Sequence, residues 1–298
     1  MADFGQVAFI DLAKKSTSLK PISEQLVRRF LGGRGLNVYL LYKYTKPGID
    51  PLSPDNVLIF GAGPLCGTPS PSASRINVSG KSPLTGFLGD TNCGGFWGPE
   101  LRFAGYDHLV FQNRAEKPTY IYIYNDKIEF RDASHLWGLD SIKTQAVIRD
   151  ELGPEVHTVC IGQAGENLVR FASVRTGAKH SAARTGMGAV MGSKNLKAVA
   201  VKGTKGVSIH NPHELLKRRK QIEERSNERK VYKLLKKHGT TYLLDAHQGL
   251  GTVGGYNHQH ITIEGDKWKA VGQKAFKEQS KDTMAACFGC FLHCSLRY

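Results

Sequence analysis

Cysteine is scarce in this chain and badly placed for a disulfide framework. Six cysteines serve 298 residues, and three of them crowd into positions 287–294. Bridged secreted scaffolds are denser in cysteine, so a reducing compartment and a metal-binding use of the three are implied. Long apolar runs are lacking as well: no stretch approaches the roughly 18 residues of a membrane helix. No basic region followed by an apolar one stands behind the opening Met-Ala-Asp-Phe, so no secretory leader is read and the cytoplasm is the expected address. Acidic residues are in deficit, 26 against 41 lysines and arginines, which leaves a formal charge of +15. Disorder is disfavoured by a composition that is 40% hydrophobic and 22% charged, with length enough for two domains.

Much of the positive charge sits in one run, KRRKQIEERSNERKVYKLLKKH at 217–238. Glutamates are interleaved and apolar positions are few, as on a solvated helical face. No aromatic–basic alternation of the kind that stacks bases accompanies it, so no nucleic-acid partner is expected, although an acidic protein partner would be steered by the same charge.

The first two hundred residues alternate short β-like runs with glycine and proline punctuation. Residues 7–10, 57–60, 157–161 and 196–201 read as strands, and YIYIYNDKIEF at 120–130 reads as a hairpin turning at Asn125 and Asp126. Ser23 caps a helical stretch that ends at Gly32 and Gly33, and Asp140 opens another that closes at Gly153 and Pro154. After Gly206 the style changes. Asn211, Pro212 and Glu214 make a helix start, followed by a charged helical region to Lys237 and a glycine-rich loop at 249–255. The expected class is therefore α+β: a β-rich domain over 1–206, then the start of a helical domain over 207–298.

Three small-residue stretches stand out in the first domain: SASRINV at 72–78, DTNCGGFWG at 90–98 and KHSAARTGMG at 179–188. Small residues let backbone groups approach a ligand, and arginine offers a fork matched to phosphate oxygens. Taken singly each reads as a tight turn; together they suggest a bulky phosphorylated cofactor. None fits the dinucleotide or triphosphate-loop fingerprints.

The strongest local signal is the C-x2-C-x3-C array of Cys287, Cys290 and Cys294. Phe291 stands where a c-type haem would need histidine, and a structural zinc site would need a second ligand pair across a longer loop. The spacing favours three corners of a cubane iron–sulfur cluster. The fourth ligand would be Cys66, Cys93, Cys160, a non-cysteine group, or a residue that the chain does not contain.

GGRGL at 32–36, PLSP at 51–54, GAGP at 61–64, KSPLTG at 81–86, Gly94 with Gly95, FAGYD at 103–107, GQAGEN at 162–167 and GAVMGSKNLK at 188–197 occur in this order. With the cysteine array they make the whole chain resemble the N-terminal part of the aldehyde:ferredoxin oxidoreductase family, whose members are tungsten enzymes. The resemblance implies a first domain whose mixed sheets form a base for a tungsten (or molybdenum) bis-pyranopterin, and helical domains that supply a 4Fe-4S cluster. By motif, Arg75 would reach a pterin phosphate or edge, and Asn92 and Gly94 would line the cofactor. Asn92 and Ser181 would offer backbone carbonyls to a Mg2+ ion bridging the phosphates. Ala183 and Arg184 would complete the cradle. His180 stands where relatives carry arginine, and Ala183 where they carry glycine. Cys287, Cys290 and Cys294 match the first three cluster ligands, with ferredoxin as electron acceptor and an aldehyde or other small molecule as substrate. A related benzoyl-coenzyme A reductase subunit is the alternative. The family's fourth cysteine, pterin-binding aspartates and groups near the metal lie beyond the third cysteine. The expectation is thus a fragment, a truncated frame or one piece of a split protein, without turnover by itself, whose partner would be a separate C-terminal chain or a second copy.

Overall fold

The computed structural model describes residues 5–279 and 281–297. The opening four residues, on which the leader expectation partly rests, lie outside them. The chain divides into two compact units, Met1–Pro212 and His213–Tyr298.

The first unit holds two six-stranded mixed sheets. One comprises β1 (Gln6–Asp11), β2 (Ser16–Pro21), β3 (Leu58–Ala62), β4 (Ile76–Lys81), β5 (Leu88–Cys93) and β6 (His108–Gln112), in the order β2-β1-β6-β3-β4-β5. The other comprises β7 (Thr119–Tyr124), β8 (Lys127–Asp132), β9 (His157–Cys160), β10 (Val174–Thr176), β11 (His180–Ala182) and β12 (Leu196–Lys202), ordered β11-β10-β9-β12-β7-β8. Pairing is parallel between β1 and β6 and between β7 and β12, and antiparallel elsewhere. The helices are α1 (Glu24–Phe30), α2 (Arg34–Tyr44), α3 (Trp97–Phe103), α4 (Ser141–Leu152), α5 (Gln163–Glu166) and α6 (Met187–Ser193).

Side-chain alternation sends each strand's residues into two different cores. Ala8 and Ile10 of β1 join Ile121, Ile123, Val199 and Val201 of the second sheet, together with Trp97 of α3 and Val190 of α6, in the central core. Val7 and Phe9 point the other way, to Leu36, Leu40 and Leu41 of α2. Ala198 and Ala200 of β12 face Ile148 of α4 and Val156 in a third cluster. Strands covered on both faces read as continuous apolar runs, which is why 57–60 and 196–201 are visible in the sequence. The indole of Trp97, fully buried, donates to Val199 O at 2.9 Å and so stitches α3 to the second sheet.

The read hairpin is present as β7 and β8, with Asn125 at φ 49° in its turn. Ser23 caps α1 by accepting from Leu26 N at 3.3 Å, and Asp140 caps α4 by accepting from Ile142 N and Lys143 N at 2.8 and 2.9 Å. All three small-residue stretches prove to be partly strand, in β4, β5 and β11, because their backbone ladders pair across the sheet rather than closing as turns.

The second unit contains α7 (Pro212–Glu228, entering from the preceding unit's last residue), α8 (Lys230–His238), α9 (Tyr242–Gly249) and α10 (Gln273–Gln279). It ends in an antiparallel pair, β13 (Lys281–Ala285) with β14 (Ser295–Arg297).

Candidate cofactor floor and cysteine loop

The register of β4 on β5 places Ile76 opposite Cys93 and Asn77 opposite Asn92. Arg75, one residue before β4, and Gly94, one residue after β5, therefore lie at the same end of this ladder. The third stretch comes to that place from the other sheet. Arg184 N donates to Thr91 Oγ1 at 3.1 Å, and a Cβ on Gly95 would touch the His180 ring at 3.4 Å. Gly95 stands at φ 112°, a backbone that other residues rarely adopt, so both its conformation and this approach call for glycine. The three stretches thus meet around one end of the edge strand β5.

Arg75, Ala183 and Arg184 are exposed, while Asn92, Gly94, His180 and Ser181 are half-buried. The His180 imidazole sits below its ordinary value, first because of burial and then because Lys179, Arg175 and Arg75 surround it. The three side chains that lower it with burial are all cationic. Arg175 opposes Ser181 in the β10–β11 ladder and donates to Ala178 O at 2.6 Å, while its buried Nε has no acceptor. The nearby carboxylate of Asp90 is engaged by Arg34 at 2.8 Å and by the Asn77 amide. A cluster of cations with an orphaned donor and small residues at its centre fits a multiply anionic guest such as a pterin phosphate.

Behind this floor runs a polar line that the sequence does not reveal. His108 Nδ1 lies 2.7 Å from Asn37 Oδ1, Asn37 Nδ2 donates to Asn77 Oδ1 at 2.8 Å, and Ser79 Oγ donates to the same oxygen at 2.6 Å. Asn77 Nδ2 in turn faces Asp90 and, at 3.2 Å, Asn92 Oδ1. A side chain on Gly61 would collide with Asn37 and His108, so this crossing depends on glycine. Burial, with Arg102 as a second cause, pushes His108 down to about 3, which keeps the ring neutral. Asn77 and Ser79 occupy positions of β4 that simple alternation would turn to solvent, yet both are buried at 2% and 0% exposure beneath α2.

In the second unit, Ala285 opposes Ser295 across β13 and β14, so the cysteine array is the loop of a hairpin. That pairing draws the two ends of the array together. Cys290 N donates to Cys287 O at 3.1 Å in a turn that passes through Gly289 at φ 64°. All three cysteines are half-buried. Among the described residues no group of three histidine, cysteine or acidic side chains is gathered tightly enough to hold a single ion. A cubane binds each thiolate at a different iron, so its ligands stand further apart than those of one ion, and the donor set fits three of its corners. Cys66 and Cys160 are buried in the first unit, and burial pushes both thiols up to about 12, the opposite of what a thiolate ligand needs.

Residues 7–203 match the family described as aldehyde ferredoxin oxidoreductase, N-terminal domain. The chain belongs to the aldehyde ferredoxin oxidoreductase family. It is 46% identical over 245 residues to the tungsten-containing aldehyde ferredoxin oxidoreductase of Pyrococcus furiosus, a match covering 82% of this chain and 40% of that protein. It is 40% identical to the protein of the same description from Thermococcus kodakarensis, over 98% of this chain and 48% of the relative. A solved active-site complex, BamBC of benzoyl coenzyme A reductase with 1,5-dienoyl-CoA, contains a chain of the same fold. The TM-score is 0.86 at 33% identity, covering 99% of this chain and 47% of that one. The chain thus spans about half the length of the family members it matches. Among the described residues no helix is long and apolar enough to cross a membrane.

Proposed function

We propose that this chain supplies the floor for a tungsten or molybdenum bis-pyranopterin in an oxidoreductase that takes aldehydes to carboxylates and passes electrons to ferredoxin. The observation that carries the reading is the meeting of Arg75, the turn at residues 92–95 and Arg184 around the end of β5, beside Lys179 and Arg175 and with Asp90 engaged by Arg34. The tungsten-containing relatives support it.

When bound, the metallopterin supplies the two-electron chemistry at its metal. Arg75 and Arg184 neutralise its phosphates, and Arg175 Nε offers a further donor. Gly94 and Gly95 admit the guest to the backbone, and Ala183 keeps the opposite wall low. Asn92 and Ser181 would offer backbone carbonyl oxygens to a Mg2+ ion, which would help neutralise the phosphates. His180, held neutral, donates or accepts one hydrogen bond without adding charge. The Asn37–Asn77 line fixes β4 against α2 and thereby the edge strand. Cys287, Cys290 and Cys294 hold three corners of a 4Fe-4S cluster, the fourth coming from outside this set, in a cytoplasmic enzyme completed by a further chain, further sequence or a second copy. No residue here is assigned a catalytic role.

Metal analysis of the full-length gene product, with aldehyde-dependent viologen reduction, tests the reading. Tungsten or molybdenum together with iron is expected, and Cys287→Ser lowers the iron without removing tungsten. Zinc alone, or no metal, would sink it. The likeness to the benzoyl coenzyme A reductase complex supports a second reading, reduction of an aromatic thioester. Assays with aldehydes against benzoyl coenzyme A separate the two.

A further inference from the structure

Helix α8 carries Lys230, Lys233, Lys236 and Lys237 exposed, while Tyr232, Leu234, Leu235 and His238 are half-buried. Helical spacing puts the four lysines on the side away from the apolar residues. The inner side rests on the cysteine loop. Tyr232 Oη donates to Phe291 O at 3.0 Å, and the two rings lie 5.8 Å apart, with Phe291 directly after Cys290. On α10, Lys274 and Lys277 continue the charge: with Lys237, His238, Gln273 and one acid, Glu278, they line a hollow of about 540 Å³.

The neighbouring helix α7 is different. Its cations are interleaved with glutamates, and two of them are paired, Arg218 with Glu214 at 2.7 Å and Lys220 with Glu224 at 4.0 Å. Helix α8 has no acid in its sequence, and among the described residues none of its four lysines pairs with a carboxylate. The solvated face expected of the whole run therefore holds for α7, while α8 presents a concentrated patch of lysines that form no ion pair among the described residues, with the carboxylates of Glu223 and Asp245 near its Tyr232 and His238.

We propose that the lysine face of α8, extended by Lys274, is the docking surface for a small acidic one-electron carrier protein of the ferredoxin kind. The choice of surface rests on the charge and on the Tyr232–Phe291 contact; the choice of an electron carrier rests on the function proposed above. Exposed lysines steer an acidic partner and fix its register, with a strength that falls as salt screens them. A carrier seated there lies across α8 from the loop that holds Cys290.

The test is direct binding, by calorimetry or surface plasmon resonance, of an acidic ferredoxin to the full chain and to two charge-reversed variants. One carries Glu at Lys230, Lys233, Lys236 and Lys237; the control carries Glu at Arg218, Arg219, Lys220 and Arg225, an equal change of charge on α7. At about 50 mM salt the α8 variant should weaken binding at least about tenfold and the α7 control by less than about threefold, with the difference vanishing near 0.5 M. Should the reversal unfold α8, seen in its circular dichroism, the four Lys→Gln changes replace it, with a loss of about threefold or more expected. Equal loss in both variants, or loss in neither, overturns the surface. So does an RNA oligonucleotide that binds more tightly than the carrier and loses affinity in the same α8 variant. Carrier binding that depends on α8 in a protein without iron or aldehyde-linked dye reduction would keep the surface and sink the functional reading. Normal iron and dye reduction with no α8-dependent binding would do the reverse.

Discussion

The backbone N–H of Arg184 donates to the hydroxyl of Thr91 at 3.1 Å, joining stretches that lie 93 residues apart in the chain. Thr91 is buried, and its partner is the backbone of a residue whose side chain is exposed. The bond therefore fixes where the guanidinium of Arg184 begins without consuming it.

Replacing Thr91 by Val keeps the shape and removes the acceptor. The stranded donor should cost about 1–3 kcal/mol of unfolding free energy. Urea denaturation of the two proteins checks it, and a variant as stable as the parent would show that the bond does not hold the loop.

Arg75→Ala and Arg184→Ala remove exposed side chains from the floor. Stability should change by no more than about 0.5 kcal/mol, while tungsten or molybdenum per chain falls at least about tenfold, the size of losing one charged bidentate contact. Metal analysis beside thermal melting reads both. Unchanged metal content in the double variant would remove these two arginines from the site.

Lys197 and Glu166 form a fully buried ion pair, with Lys197 Nζ also donating to Leu139 O at 2.8 Å. Lys197→Met leaves the carboxylate buried and uncompensated, at a cost of about 3–5 kcal/mol. Adding Glu166→Gln should return part of that loss, because a neutral amide needs no counter-charge. A double variant no better than the single one would argue that packing around the pair matters more than charge.

Lys194 is buried, donating to Pro54 O at 3.1 Å and Asn113 O at 2.9 Å. Burial outweighs the opposing charge of Asp55 and pushes its pKa down to about 7 from 10.5. Between these values the unfolded chain binds more protons at this site than the folded one, so this residue's contribution to stability rises with pH from about 7 to 10.5 and is lost as pH falls through 7. Relative to Lys194→Met, the parent should gain stability over that window, with a slope of at most about 1.4 kcal/mol per pH unit. Parallel stability curves for the two proteins would refute the depressed pKa.

Much of the fold is legible where local chemistry decides it. Ser23 and Asp140 cap their helices as read, and Asn125 with Asp126 turns the hairpin between β7 and β8. Residues 34–44 are another matter. Gly32 and Gly33 read only as the end of the helix that Ser23 caps, yet Arg34 opens α2 directly after Gly33, and that helix packs on β1, β3 and β6 of the first sheet. The hairpin that closes the cysteine loop was also invisible, since β13 and β14 are short.

The sequence by itself determined the chemistry on offer: arginines among small residues, and three thiols at cluster spacing. Side-chain type and spacing are local properties, and no partner is needed to read them. Only the tertiary structure decided which of these residues meet. Arg75, Gly95, His180 and Arg184 come together because two sheets pack so that β11 reaches the edge strand β5. Asn37, Asn77 and Ser79 become a buried line because α2 lies over β4. Polar residues are driven out of water only when the elements above them pack and supply their hydrogen bonds, and that condition is written in no single stretch of the chain.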